Sequence, residues 1–263
     1  MSNDDPGSVD YEVHDRIAYI TLNRPARLNA FTDDLVVKFR RAIERLDADD
    51  AADVAILSGA GRAFSSGADV RQRQMRPPEE MRRLGRPSGR GDADGEGILY
   101  EVVNWKPVIA AVHGYAVGMG LSVMLECDII VAAASAQFQV TEVPRGLWGS
   151  RHWALLYFRS NATFADDVVL TGRFFSAAEA LQRGVINAAV EDGAHIAKAE
   201  EYARQMLANP VLAVRAAVRA RRWYMQKFEQ QDQPLLRAGF PLHLTDDFRR
   251  NAAAFFERHE QHS

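Results

Sequence analysis

Two short stretches hold the residues best suited to chemistry. "FSSGADV" (64–70) and "GYAVGMGLS" (114–122) are small, glycine-bearing turns, each following an apolar segment. Turns of this kind leave backbone N–H groups free. Two free amides that converge on one point stabilise negative charge developing on a carbonyl oxygen. The second turn opens a helix at Met119, and the helix N-terminus adds positive potential there. Gly118 and Gly120 form G-x-G, but Val123 stands where a dinucleotide fingerprint needs a third glycine. One turn into the helix comes Ser122, a hydroxyl that cannot serve unaided as a general base at neutral pH.

The surrounding pattern says what must position these turns. "VDYEVHDRIAYITLNR" (9–24) reads as two alternating segments around Asp15-Arg16, a hairpin. Leu35, Val36, Phe39, Ile43 and Leu46 repeat at helical spacing behind Thr32 or Asp33 as cap. Short apolar strands are expected at 53–59, 104–114, 128–132 and 136–140. The order strand, helix, strand, loop, strand, helix, strand is an α/β pattern with crossovers. Residues 71–97 are rich in Arg, Gly and Pro and read as a mobile excursion with one short helix near 79–84. From about 162 the chain reads as helical, "SAAEALQRGVINAAV" included, and ends in an amphipathic helix near 245–258 that carries Phe248 and Ala252.

Composition narrows the function classes. The 263 residues are enough for one large domain, and a formal net charge of -3 favours neither nucleic acid nor an anionic membrane. The single cysteine, Cys127, excludes an intrachain disulfide and a cysteine-based metal cluster. The polar, acidic start is unlike a secretory or transit segment, and no apolar run matches a membrane span. A cytoplasmic protein is expected, with no metal site.

Five segments, in order, resemble the enoyl-CoA hydratase/isomerase (crotonase) superfamily: "LNRPARLNAF", "GAGRAFSSGADV", "KPVIAAVHGYAVGMGLSVMLECDIIV", "AAASAQFQVTEV" and "LTGRFFSAAEALQRGVINAAV". The resemblance implies a spiral of β-β-α units over residues 1–195, which holds the site. It also implies a helical region over 196–263 that assembles homotrimers or homohexamers. It implies an acyl-CoA thioester as substrate, with coenzyme A part of that substrate and no separate cofactor. Carried over by position, the oxyanion-hole amides fall on Ala68 and Met119. The CoA nucleotide and pantetheine fall against Ala26, Arg27 and Leu28. Ser66, Gly67, Asp69, Val70 and Gly118, with Ala68 and Met119, are expected to bind the acyl-CoA along the two turns.

Hydratases of this family resemble one another in using two glutamates. One position is Glu142 here, and the other is Ser122. Glu142 is therefore the expected proton-transfer group, with Ser122 orienting a water or hydrogen-bonding Glu142. Hydration is the leading expectation. Double-bond isomerisation is an alternative, as is a hydratase-lyase reaction of the hydroxycinnamoyl-CoA type. A non-catalytic CoA- or RNA-binding member of the fold is a further one. After Glu142 the chain departs from the family with "VPRGLWGSRHWALLYF". Trp148 is expected to border the acyl pocket and Trp153 to pack in the core. His152 is a less favoured second base. The arginines of 71–90 are expected to be solvated or to meet the CoA phosphates.

Overall fold

The computed structural model describes residues 6–84, 104–238 and 242–260. The chain begins with an antiparallel hairpin, β1 (Ser8–His14) and β2 (Ile17–Asn23). Asp15 and Arg16 both have positive φ, the backbone that a two-residue hairpin turn requires. Four parallel strands extend the sheet: β3 (Val54–Gly59), β4 (Val108–Val112), β6 (Ile129–Ala133) and β9 (Ala188–Val190). The spatial order is β1-β2-β3-β4-β6-β9. A second, three-stranded sheet has the order β5-β7-β8, from β5 (Tyr115–Val117), β7 (Gln137–Gln139) and β8 (Phe174–Ser176).

Strands β3 and β4 are apolar on both faces because both faces are covered. Leu57, Ala110, Ile130 and Ala132 point into the main core with helix α1 (Asp33–Ala48). Ile56, Ile109, Ala111 and Val131 point the other way, against Ala199 and Ala203 of a later helix, α7 (His195–Leu207). That helix starts the segment that the sequence assigns to the C-terminal region, yet it covers the outer face of the sheet. The core layer thus runs past residue 195.

The sequence reading differs from the structure in three places. "SAAEALQRGVINAAV" is helical only at α6 (Ala177–Gln182) and then forms the edge strand β9. Residues Val70–Gln74 form a π-helical turn where an irregular excursion was expected, whereas the short helix expected near 79–84 is present as α2 (Pro78–Leu84); the excursion beyond it lies outside the described residues. Arg73 and Arg76, expected in solvent or on phosphate, are buried against Asp33, and Arg76 also meets Glu80.

Helix α3 (Met119–Glu126) is buried on nearly every side, consistent with its apolar sequence. Its C-terminal carbonyls are met by cations. Arg159 donates to the carbonyls of Leu125 and Cys127, and Arg221 to those of Glu126 and Cys127. Positive charge at a helix C-terminus complements the backbone dipole. Arg221 and Arg222 belong to the long helix α8 (Val211–Ala238) and also pair with Asp128. Helix α8 is thereby fastened to the C-terminal end of α3. Two helices, α4 (Ser150–Arg159) and α5 (Ala162–Thr171), pack on each other, and α4 packs on α3. The last helix, α9 (Asp246–Glu260), buries Phe248 and Ala252. Among the described residues no helix is long and apolar enough to cross a membrane.

The segment 24–31 is held by one side chain. Asn29 is fully buried with φ 54. Its amide oxygen accepts from Arg24 N, and its Nδ2 donates to the carbonyls of Ala60 and Ala63, at 2.8 Å in each case. Replacing Asn29 with alanine leaves three buried backbone groups unpaired, each costing on the order of 1–3 kcal/mol. Asn29→Ala should lower the melting temperature sharply, measurable by differential scanning calorimetry.

Candidate active site

The two turns singled out by sequence meet in space. Ser65 pairs with Ala116 in a parallel bridge, and Val117 N donates to Ser65 O at 3.1 Å. Three residues further along each segment stand Ala68 and Met119. Their amides have no hydrogen-bond partner among the described residues. The reason is local. Phe31 N takes Gly67 O and Asp69 N takes Phe31 O, so the ladder skips the Ala68 N–H. Met119 is the first residue of α3, where an N–H has no intrahelical acceptor. Each free amide also follows a positive-φ glycine, Gly67 at 99° and Gly118 at 50°. Glycine alone turns the next peptide this way without strain.

Glu142 comes from the neighbouring strand. β5 and β7 pair in parallel with Val117 opposite Gln139, and Gly118 N donates to Gln139 O at 3.0 Å. The chain leaves β7 through Val140 and Thr141 to Glu142, beside Gly118. Glu142 Oε2 accepts from Thr141 N at 3.0 Å and lies 3.5 Å from His152 Nδ1. Oε1 has no hydrogen-bond partner among the described residues. A Cβ added at Gly118 would sit 3.5 Å from that oxygen and 2.8 Å from Thr141 Oγ1. One carboxylate oxygen is thus held and the other is free, next to the turn that carries the free Met119 amide.

Ser122 does not reach Glu142 in the way its position suggested. Its side chain meets His152 Nε2 at 2.8 Å, and the same nitrogen lies 2.9 Å from Gly118 O. Both residues are 4% exposed. The sequence weighed His152 only as a less favoured second base and did not pair it with Ser122. The available signal was a polar residue among the apolar positions Ala154, Leu155 and Leu156 of an amphipathic helix. Trp153, expected in the core, is half-buried; its indole N–H donates to Asp166 at 2.7 Å and its ring stacks on Tyr157.

The remaining sequence-selected residues fall as follows. Ala26 and Arg27 are exposed, and Leu28 O accepts from Ser66 N at 2.9 Å, so the 26–28 turn adjoins the first amide loop. The Asp69 carboxylate is engaged in the fold. It accepts from Arg24 at 2.7 Å and caps the Val70–Gln74 turn at Gln72 N. Trp148 is 45% exposed and lines a cavity of about 460 Å³ with Val143, Trp153, Leu170 and Leu242; Ala68, Met119, Ser122 and Glu142 are not in that lining. Arg145, one turn past Glu142, donates to Gln74 Oε1 at 3.2 Å. Burial pushes its guanidinium below the ordinary arginine range, and the nearby Glu142 charge opposes that shift.

Gly118 can be tested by itself. Gly118→Ala forces a side chain into a glycine-only backbone region and against Thr141. The strain should cost about 1–3 kcal/mol. Thermal unfolding should register that loss, and turnover should fall further because the Met119 amide and Glu142 are both displaced.

Comparison with known proteins agrees with this geometry. The family model described as enoyl-CoA hydratase/isomerase matches residues 12–262. The (E)-benzylidenesuccinyl-CoA hydratase of Thauera aromatica is 33% identical over 95% of this chain and 96% of its own length. Enoyl-CoA hydratase EchA19 of Mycobacterium tuberculosis is 33% identical over 91% of this chain and 90% of its own. Among solved structures, an enoyl-CoA hydratase/isomerase from Mycobacterium paratuberculosis superposes with a TM-score of 0.81 at 28% identity, covering 94% of this chain and 98% of that one. With its amide pair, its neighbouring carboxylate and a match along almost its whole length, the chain belongs to the enoyl-CoA hydratase/isomerase family.

Proposed function

We propose that the protein is an enoyl-CoA hydratase that adds water across the double bond of a 2-enoyl-CoA thioester. One observation carries this reading: the partnerless Ala68 and Met119 amides stand in matched register beside the free oxygen of Glu142. The thioester carbonyl oxygen accepts both amides. Glu142 Oε1 takes a proton from water as the water oxygen bonds to C3, and the electrons of the alkene move onto the thioester as an enolate. The two amides hold that charge where it develops, which is the largest contribution such a site makes. Glu142 then returns the proton to C2, so atoms and charge balance.

Coenzyme A enters as part of the substrate, with its nucleotide and pantetheine along the exposed 26–28 turn beside Ser66. The address is cytoplasmic. The assembly is a homotrimer or a homohexamer. The exposed Leu212, Trp223 and Tyr224 of α8 support an assembled state. Light scattering after size exclusion tells these two apart, and a monomer would refute both.

The second reading is double-bond isomerisation. It is favoured by the serine at position 122, which leaves Glu142 as the one carboxylate to shuttle a proton between C2 and C4. A panel of 2-enoyl, 3-enoyl and aromatic acyl-CoAs, read by mass spectrometry, decides. Hydration adds one water, isomerisation leaves the mass unchanged, and a lyase reaction releases an aldehyde. No conversion of any member would overturn the enzymatic reading.

A further inference from the structure

We propose that His152 is a positioning residue for Glu142, and that Ser122 acts through His152 rather than on water. The proposal rests on the reading of Glu142 as the proton-transfer group. It starts from the hydrogen-bonding capacity of the ring. Gly118 O can only accept, and it lies 2.9 Å from Nε2. A bare Nε2 there would set two lone pairs against each other, so Nε2 carries a hydrogen, shared between Gly118 O and Ser122 Oγ at 2.8 Å. Nδ1 is left facing Glu142 Oε2 at 3.5 Å. Only the doubly protonated ring carries a hydrogen on that edge too, and in that form it pairs with the carboxylate as an ion pair at 3.5 Å.

The ring is thus fixed at one nitrogen by α3 and the turn before it, which sets the other 3.5 Å from Glu142 Oε2. Because Oε2 accepts from Thr141 N and faces His152, Oε1 is the oxygen left for chemistry. The hydrogen on Nε2 also means that His152 does not accept the Ser122 proton. The three side chains therefore do not form a nucleophilic triad, for which a bare Nε2 is needed. The unit occupies the place where a second carboxylate would otherwise stand, and it converts a short hydroxyl into a support for the remaining one.

The nitrogen-specific geometry supplies the test. Asparagine places a donor near the Nδ1 position, glutamine places one near Nε2, and leucine supplies neither. Turnover on the best acyl-CoA of the panel should fall about 100-fold in His152→Leu, the scale of a small misplacement of a reacting group. KM should stay within a factor of a few. His152→Asn should recover most of that loss and His152→Gln little of it. Ser122→Ala should lower kcat, and adding it to His152→Leu should cause no further loss.

Full turnover in a folded His152→Leu protein overturns the proposal, as does rescue by glutamine but not asparagine. Additive losses in the Ser122→Ala, His152→Leu double variant overturn the part assigned to Ser122. If the leucine variant does not fold, the asparagine and glutamine pair decides. A Glu142→Gln protein that keeps turnover would refute the underlying reading instead, whatever the His152 variants do.

Discussion

Replacing Glu142 with glutamine removes turnover while acyl-CoA binding survives. The change is nearly isosteric, and the glutamine carbonyl can still accept from Thr141 N, so the turn after β7 keeps its shape. What disappears is the group that takes a proton from water and returns it to carbon. General acid–base groups contribute about a hundred- to ten-thousandfold. The loss should lie at or beyond the upper end here, because Ser122 is a hydroxyl committed to His152 and supplies no second carboxylate. Binding of a saturated, unreactive acyl-CoA, measured by calorimetry, should be almost unchanged. The residues expected to hold the thioester and the nucleotide lie on other segments, at 26–28, 66–68 and 119. A Glu142→Gln protein with native turnover would remove the assignment.

Met119→Pro isolates the other half of the chemistry. Proline is tolerated at the first position of a helix, where the N–H has no intrahelical partner and the required φ suits the ring. Met119 holds that position in α3. The substitution therefore deletes one oxyanion donor and little else. Removal of a single donor of this kind costs about 3 kcal/mol, on the order of a hundred- to thousandfold in kcat. Met119→Ala keeps the amide and separates loss of the side chain from loss of the N–H; it should lose far less. The melting temperature of the proline variant should remain close to that of the parent. If turnover survives in that folded protein, the amide does not meet the carbonyl.

Much of this site was legible in the sequence because its key parts are backbone. The glycines at 67 and 118 announce turns that free the next amide, and the five ordered segments announce the family and the approximate place of Glu142. The hairpin at Asp15-Arg16 and the stripe of α1 follow from periodicity alone. What was hidden depends on tertiary packing. Strands β5, β8 and β9 have three residues each, too few to display an alternation. His152 meets Ser122 only because α4 lies on α3. Arg73 and Arg76 sit in a segment with the composition of a solvated loop, yet they are buried because Asp33 and Glu80 come to them.

The ladder between β5 and β7 has a consequence for how such a protein can change. Val117 opposite Gln139 acts as a ruler: it spaces the Met119 amide and the Glu142 carboxylate without help from any side chain that would touch an acyl group. The segment after Glu142 adds a second support: Arg145 N donates to the carbonyls of Thr141 and Glu142, and Leu147 N to that of Glu142. The backbone on both sides of Glu142 therefore fixes where its carboxylate stands. Exchanging 143–149 for another sequence should therefore lower turnover unless the Arg145 and Leu147 backbone donors are kept in place. A one-residue insertion in β7 would slip the ruler and silence the enzyme for every substrate.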